Sequence, residues 1–254
     1  MAINIMTRTD DWAKMQEDFF DSFSQQYGLY DLAHESAASK ESARQFINFL
    51  QLKPEETVLE LGCGWGEWLL RLAKLGHRVT GVDISQGSLD LLNTLSDKNQ
   101  LSANIDLIKG DVQEDLSGKL YQRQFDLVFG YNLLHHVLDI EKTVSNMVNL
   151  TKPGGRVVIY EPNPLHFWWY LCPLFDPKFK WPIERGLLNT SPVKMQKIFK
   201  SSGLRNIALF SADYFPFISP DKTFHLTSKL NRFFGKLSIL KYLPAVYYLR
   251  GEKR

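Results

Sequence analysis

Between residues 57 and 160 the chain repeats one pattern: a short apolar run, a breaker, an amphipathic stretch, then another short apolar run. The runs are 57–61 (TVLEL), 78–83 (RVTGVD), 105–109 (IDLIK), 125–130 (FDLVFG) and 155–160 (GRVVIY). Periodicity predicts helices over 66–75, 86–97 and 139–150, the last stopped by the turn Lys152-Pro153-Gly154-Gly155. Strands this short and this apolar are buried on both faces, which requires a parallel sheet with helices above and below. Right-handed crossovers then make a doubly wound α/β domain that binds its ligands at the carboxyl ends of the strands. Two further helices, 9–26 and 37–51, precede the pattern. A helix at 192–201 and strands at 204–210 and 245–252 follow it, giving a mostly parallel sheet of seven strands. Residues 1–56 read as N-terminal helices or a lid. Residues 57–254 read as one domain with irregular insertions at about 161–190 and 211–243.

The first junction, VLELGCGWG at 58–66, places three glycines in five residues directly behind a strand. A turn without side chains permits unusual dihedrals and lets a ligand touch the backbone, while the start of the next helix offers free N–H groups. The spacing is G-x-G-x-G. Where the dinucleotide fingerprint G-x-G-x-x-G has its third glycine, this chain has Glu67, whose charge would repel a pyrophosphate. A ligand without phosphates would not be disturbed by it, which tilts the choice away from NAD. Asp83 closes the second strand, where a carboxylate can accept from both hydroxyls of a ribose; the bland alternative, a helix cap, suits Ser85 better. Asp111, just past the third strand, can accept from an adenine amino group while the Val112 N–H donates to the ring, or it can simply form a turn after Gly110.

These stretches, with FDLVFGYNLLHHV and LTKPGGRVVIYEP after them, resemble the class I S-adenosylmethionine-dependent methyltransferases over residues 57–161. The resemblance implies a Rossmann-like methyltransferase fold and S-adenosyl-L-methionine as cofactor. It implies that Glu60, Gly62, Cys63, Gly64 and Gly66 hold the methionine moiety, Asp83 the ribose, Ile84 an adenine face, and Asp111 with Val112 the adenine edge. Tyr131 and Asn132 would line the methionine side near the sulfur. Trp65 and Glu67 are bulkier than the residues such loops often carry.

A methyl sulfonium already carries a good leaving group, so the protein's task is to align the acceptor with it; no metal is required. A base helps only where the acceptor must lose a proton, and His135 and His136, after the fourth strand, are the candidates. At most one faces the site if the segment is helical, and the other caps or packs. Tyr27, Tyr30 and His34 suit either a lid over the cofactor or plain helix packing.

Charge is unevenly spread. Residues 1–159 carry 15 basic and 22 acidic side chains, whereas 160–254 carry 15 and 6. The aromatic cluster Phe167, Trp168, Trp169, Tyr170, Phe175, Phe179 and Trp181 suits either an apolar substrate pocket or the core of a lid; as a cluster it favours a small apolar or lipid-like acceptor, and O-methylation is the favoured reaction. A helix over 223–237 would gather Leu226, Leu230, Phe233, Phe234 and Leu237 beside Lys229, Arg232 and Lys236, a pattern suited to peripheral contact with an anionic membrane or to packing on its own domain. One alternative is an RNA methyltransferase that holds phosphates with the basic part of the chain; nucleic acid is disfavoured because Tyr131-Asn132-Leu133-Leu134 stands where base-modifying methyltransferases carry Asn-Pro-Pro-aromatic. A non-catalytic, cofactor-binding regulator is the other alternative. The polar start lacks a signal-peptide core and no long apolar run occurs, so the expected location is cytoplasmic. Cys63 and Cys172 form neither a disulfide framework nor a metal motif. The sequence sets no oligomeric state.

Overall fold

The computed structural model describes residues 9–27, 37–120, 122–175, 179–214, 226, 229–231, 233–234 and 242–254. The strands are β1 (Val58–Leu61), β2 (Val79–Asp83), β3 (Ile105–Lys109), β4 (Phe125–Tyr131), β5 (Thr151–Pro162), β6 (Arg205–Ala212) and β7 (Val246–Glu252). They form one sheet in the order β3-β2-β1-β4-β5-β7-β6. The first five are parallel; β7 runs antiparallel between β5 and β6. The strand order reverses beside β1, so the crevice between the carboxyl ends of β1 and β4 is the place such a sheet offers a ligand.

The helices are α1 (Thr9–Tyr27), α2 (Ala37–Leu50), α3 (Glu67–Lys74), α4 (Gln86–Lys98), α5 (Ile140–Asn149), α6 (Trp168–Phe175), α7 (Trp181–Glu184) and α8 (Pro192–Ser201). One face of the sheet packs on α2, α3 and α4 through Phe46, Leu50, Leu69, Leu72 and Leu92. The other packs on α5 and α8 through Val144, Met147, Met195 and Phe199. Strand alternation assigns β1 to both cores: Leu59 and Leu61 face one, Val58 the other. Glu60 shares the face of Val58 and is 2% exposed. A carboxylate at a core position has to answer to something other than packing.

The expected turn at Lys152-Pro153-Gly154-Gly155 lies inside β5. Phe125 pairs with Thr151 and Leu127 with Arg156, so the extra residues form a bulge, with Gly154 at φ 76°. The kink is spanned by the segment after β7: the Gly154 N–H donates to the Lys253 carbonyl, and the Lys253 N–H to the Gly155 carbonyl. Of the helix expected over 223–237, residues 226, 229–231 and 233–234 are described and helical, with Leu226 and Phe233 exposed. Arg232, Lys236 and Leu237 lie outside the described residues. No helix among the described residues is long and apolar enough to cross a membrane.

Candidate active site

The glycine turn is held open by the acid that ends β2. Asp83 Oδ2 accepts from the Gly64 N–H at 2.7 Å and Oδ1 from the Ser85 N–H at 2.8 Å. Each oxygen keeps a further lone pair. Burial pushes the Asp83 carboxyl up despite these donors. Ser85 caps α4 through the Ser88 N–H, so the cap and the strand-end acid are different residues. The glycines differ in purpose. A Cβ on Gly66 would lie 2.1 Å from Leu92 Cδ1, whereas one on Gly64 would have no protein atom within 4 Å. Gly66 makes room for the protein; Gly64 leaves a space.

That space belongs to a cavity of about 460 Å³ over the carboxyl ends of β1, β2, β3 and β4. Its roof is α1, which presents Trp12, Gln16, Phe19, Phe20 and Phe23 to it. Their positions follow i, i+4, i+7, i+8 and i+11, one face of a helix. Polar ties fasten the roof: Asp21 Oδ1 accepts from Ser85 Oγ at 2.6 Å and from the Gly87 N–H at 2.9 Å, and the Ser24 and Ser88 hydroxyls meet at 2.6 Å. Trp12 Nε1 donates to the His136 carbonyl at 2.7 Å, and Phe23 stacks on Trp65.

Leu134–His136 form a single 3-10 turn after β4, so both histidines line the cavity. Their states differ. His135 Nδ1 donates to Glu161 Oε2 at 2.6 Å, and Nε2 lies 3.3 Å from Glu184 Oε2. Burial alone would lower its pKa, but Glu161 and Glu184 together raise it to about 10. His136 Nε2 is 4.0 Å from Glu184, and its Nδ1 is buried with no partner. Burial, reinforced by the His135 cation, lowers the His136 pKa to about 3. One imidazole is thus a fixed cation and the other a neutral ring with an open lone pair. Both nitrogens of His135 face a carboxylate, which leaves the open lone pair to His136.

Residues 58–155 match the model of a methyltransferase domain family. The chain is an S-adenosylmethionine-dependent methyltransferase whose domain match spans residues 58–155. A ubiquinone biosynthesis O-methyltransferase of Coxiella burnetii is 28% identical over 206 residues, covering 73% of this chain and 83% of the relative. An S-adenosylmethionine-dependent methyltransferase from Thermotoga maritima, 16% identical, superposes with a TM-score of 0.62 over 94% of this chain and 100% of its own. Phosphoethanolamine N-methyltransferase 2 of Haemonchus contortus, solved with S-adenosyl-L-methionine, is 18% identical with a TM-score of 0.62, covering 98% of this chain and 60% of that one. The two structural likenesses are likenesses of fold.

The residues of this methyltransferase fit its cofactor. Glu60 Oε2 is buried with no hydrogen-bond partner. Burial, with the Glu67 and Asp83 charges, raises the Glu60 carboxyl well above its ordinary range. An orphaned acid on the wall of a cleft suits an ammonium, and the cofactor carries one.

The expected residues Glu60, Gly62, Cys63, Gly64, Asp83, Ile84, Asp111, Val112, Tyr131 and Asn132 all line the methyltransferase cavity, whereas Gly66 packs behind it. Asp111 also makes the turn foreseen as its alternative, accepting from the Gln113 N–H at 2.8 Å. Of the aromatic cluster, only Trp169 and Phe179 reach the cavity among the described residues. Phe167, Tyr170 and Trp181 are exposed, and the Phe175 side chain lies outside the described residues, as do the Tyr27 side chain, Tyr30 and His34. Sequence reading missed Glu161, Glu184, Trp68 and the inward face of α1. Only the last had a signal, the helical spacing of 12, 16, 19, 20 and 23.

Proposed function

We propose that the enzyme transfers a methyl group to an oxygen of a small, largely apolar, lipid-like acceptor, with His136 receiving the proton. The observation that carries this reading is the neutral His136 ring, which lines a cavity also faced by Trp12, Phe19, Phe20, Phe179 and Leu187 and whose buried Nδ1 has no partner. The name of the Coxiella burnetii relative, an O-methyltransferase of ubiquinone biosynthesis, supports the same acceptor class.

When bound, S-adenosylmethionine supplies an electrophilic methyl on a sulfonium. Glu60 would hold its ammonium, the glycine turn around Gly62, Cys63 and Gly64 would admit its aminoacyl chain, and the free lone pairs of Asp83 would take the ribose hydroxyls. Ile84 would cover the base, Asp111 and Val112 would meet its edge, and Tyr131 and Asn132 would line the methionine side. With α1 as a lid, water is kept from the acceptor. His136 Nδ1 accepts a hydrogen bond from the acceptor hydroxyl and aims an oxygen lone pair at the methyl. A low basicity is sufficient there. A hydroxyl being methylated becomes a far stronger acid than an imidazolium, so His136 Nδ1 would take its proton. Glu184 steadies the resulting charge.

Replacing His136 with Asn is expected to lower the turnover number about 100-fold or more while S-adenosylhomocysteine affinity is kept. Full activity in that variant would remove the base from the reading. A methyl-transfer screen over lipid, quinone and polar extracts tests the acceptor class. Label appearing only in the polar extract would overturn it.

The same reading accounts for the apolar surface around α6, where Leu165, Phe167, Tyr170, Leu171 and Leu174 are exposed together. With the basic balance of residues 160–254, this surface suits peripheral contact with an anionic membrane, the source of a lipid-like acceptor. Flotation with anionic liposomes at low salt is the measurement, and failure to float rejects the contact.

A further inference from the structure

Glu60 is not alone among the described residues of this cleft in carrying an orphaned polar atom. Trp68, in the first turn of α3, is 4% exposed and lines the cavity, and its indole Nε1–H is buried with no hydrogen-bond partner. Unmet indole donors are uncommon in folded proteins, because an apolar ring of similar shape would fill the same space without stranding an N–H. The ring is held in place by Phe46, edge-on at 4.5 Å between centroids, and by Tyr131 at 4.8 Å. Arg71 sits over its face at 5.4 Å, a cation that further polarises the N–H.

The chemistry of the cofactor supplies the missing acceptor. Its amino-acid end is a zwitterion, so an ammonium and a carboxylate must be seated close together. Glu60 answers the ammonium, but its field, added to that of Glu67 and Asp83, opposes a carboxylate. A carboxylate can settle beside three acids only where fixed donors face it. We propose that Trp68 Nε1–H donates to the cofactor's carboxylate, and that Trp68 is therefore a binding residue that reads this group. Orphaned acceptor and orphaned donor then satisfy opposite ends of one zwitterion. The inference rests on the placement of the ammonium at Glu60; Glu60→Gln with unchanged S-adenosylhomocysteine affinity would refute that placement separately.

The test compares S-adenosylhomocysteine with its decarboxylated analogue by calorimetry, on the native enzyme and on Trp68→Phe. The native enzyme is expected to bind the carboxylate form the more tightly. The variant should lose roughly tenfold for S-adenosylhomocysteine, as expected for a hydrogen bond to a charged group, and about twofold or less for the analogue. Equal losses for both ligands would make Trp68 a packing residue and overturn the proposal, as would no loss for either. A second readout needs only the native protein: the Trp68 indole N–H resonance should shift downfield with S-adenosylhomocysteine and stay near its free position with the analogue. Identical shifts with both ligands would equally refute it.

Discussion

Glu161 Oε2 lies 2.6 Å from His135 Nδ1, while Oε1 of the same carboxylate accepts the N–H groups of Leu133 at 3.0 Å and Leu134 at 2.6 Å. One buried acid therefore fixes both the backbone of the loop after β4 and the charge of the ring that follows it. The folded state favours the His135 cation, with a pKa of about 10. Its contribution to stability is complete below the unfolded histidine value of about 6.5 and is lost as pH rises toward that folded value. The melting temperature is expected to decline across this alkaline window. Glu161→Gln should move the decline to lower pH; coincident pH profiles for the two proteins would contradict the pairing.

The histidines make a second, opposite prediction. With the His136 pKa lowered to about 3, acidification through the ordinary histidine range leaves its lone pair free. The acid limb of kcat/KM should fall near this low value, provided the fold persists. A limb centred near 6.5, lost in His136→Asn, would show a normally titrating base.

Cofactor capture should release a proton. The Glu60 carboxyl, raised by burial and by Glu67 and Asp83, holds its proton to higher pH than an ordinary acid, and an arriving ammonium favours the ionised form. Affinity for S-adenosylhomocysteine should rise as pH increases above the ordinary carboxylate range. Calorimetry in two buffers of different ionisation enthalpy should detect the proton, and Glu60→Gln should abolish the buffer dependence.

Two alanine substitutions should separate the duties of the glycine turn. Gly66 has φ 81°, and a methyl added to it would meet Leu92 Cδ1 at 2.1 Å, so Gly66→Ala should cost roughly 3 kcal/mol of stability or more. Gly64 has φ 51° with open space beyond it. Its alanine variant should lose only about 1–2 kcal/mol in denaturant unfolding, yet bind S-adenosylhomocysteine poorly. Comparable melting losses with intact binding in both would refute the division.

The parts of this molecule that are legible in sequence are those set by local pattern. Alternation in VLEL and β-branched runs such as RVVIY locate the strands, and Ser85 announces the cap of α4. The acids Asp83 and Asp111 stand at strand ends, where position alone suggests a ligand. Glu161 and Glu184 give no such sign, because what defines them is a histidine 26 and 49 positions earlier in the chain. Trp168 to Trp181 mislead for a related reason. Aromatic content says how much apolar surface a segment has, and only tertiary packing decides whether that surface faces inward, as for Trp169, or outward, as for Phe167. The Pro-Gly-Gly bulge likewise reads as a strand end, because the residues that span it come after β7, far along the chain.

The antiparallel wedge of β7 between β5 and β6 has a bearing on how the chain assembles. Residues 205–212 touch the sheet only through residues 246–252, so the outermost strand leaves the ribosome before the ribbon it must lean on. Until that ribbon arrives, β5 offers a bare edge to any passing extended peptide, and the chain is at its most prone to aggregate in that interval.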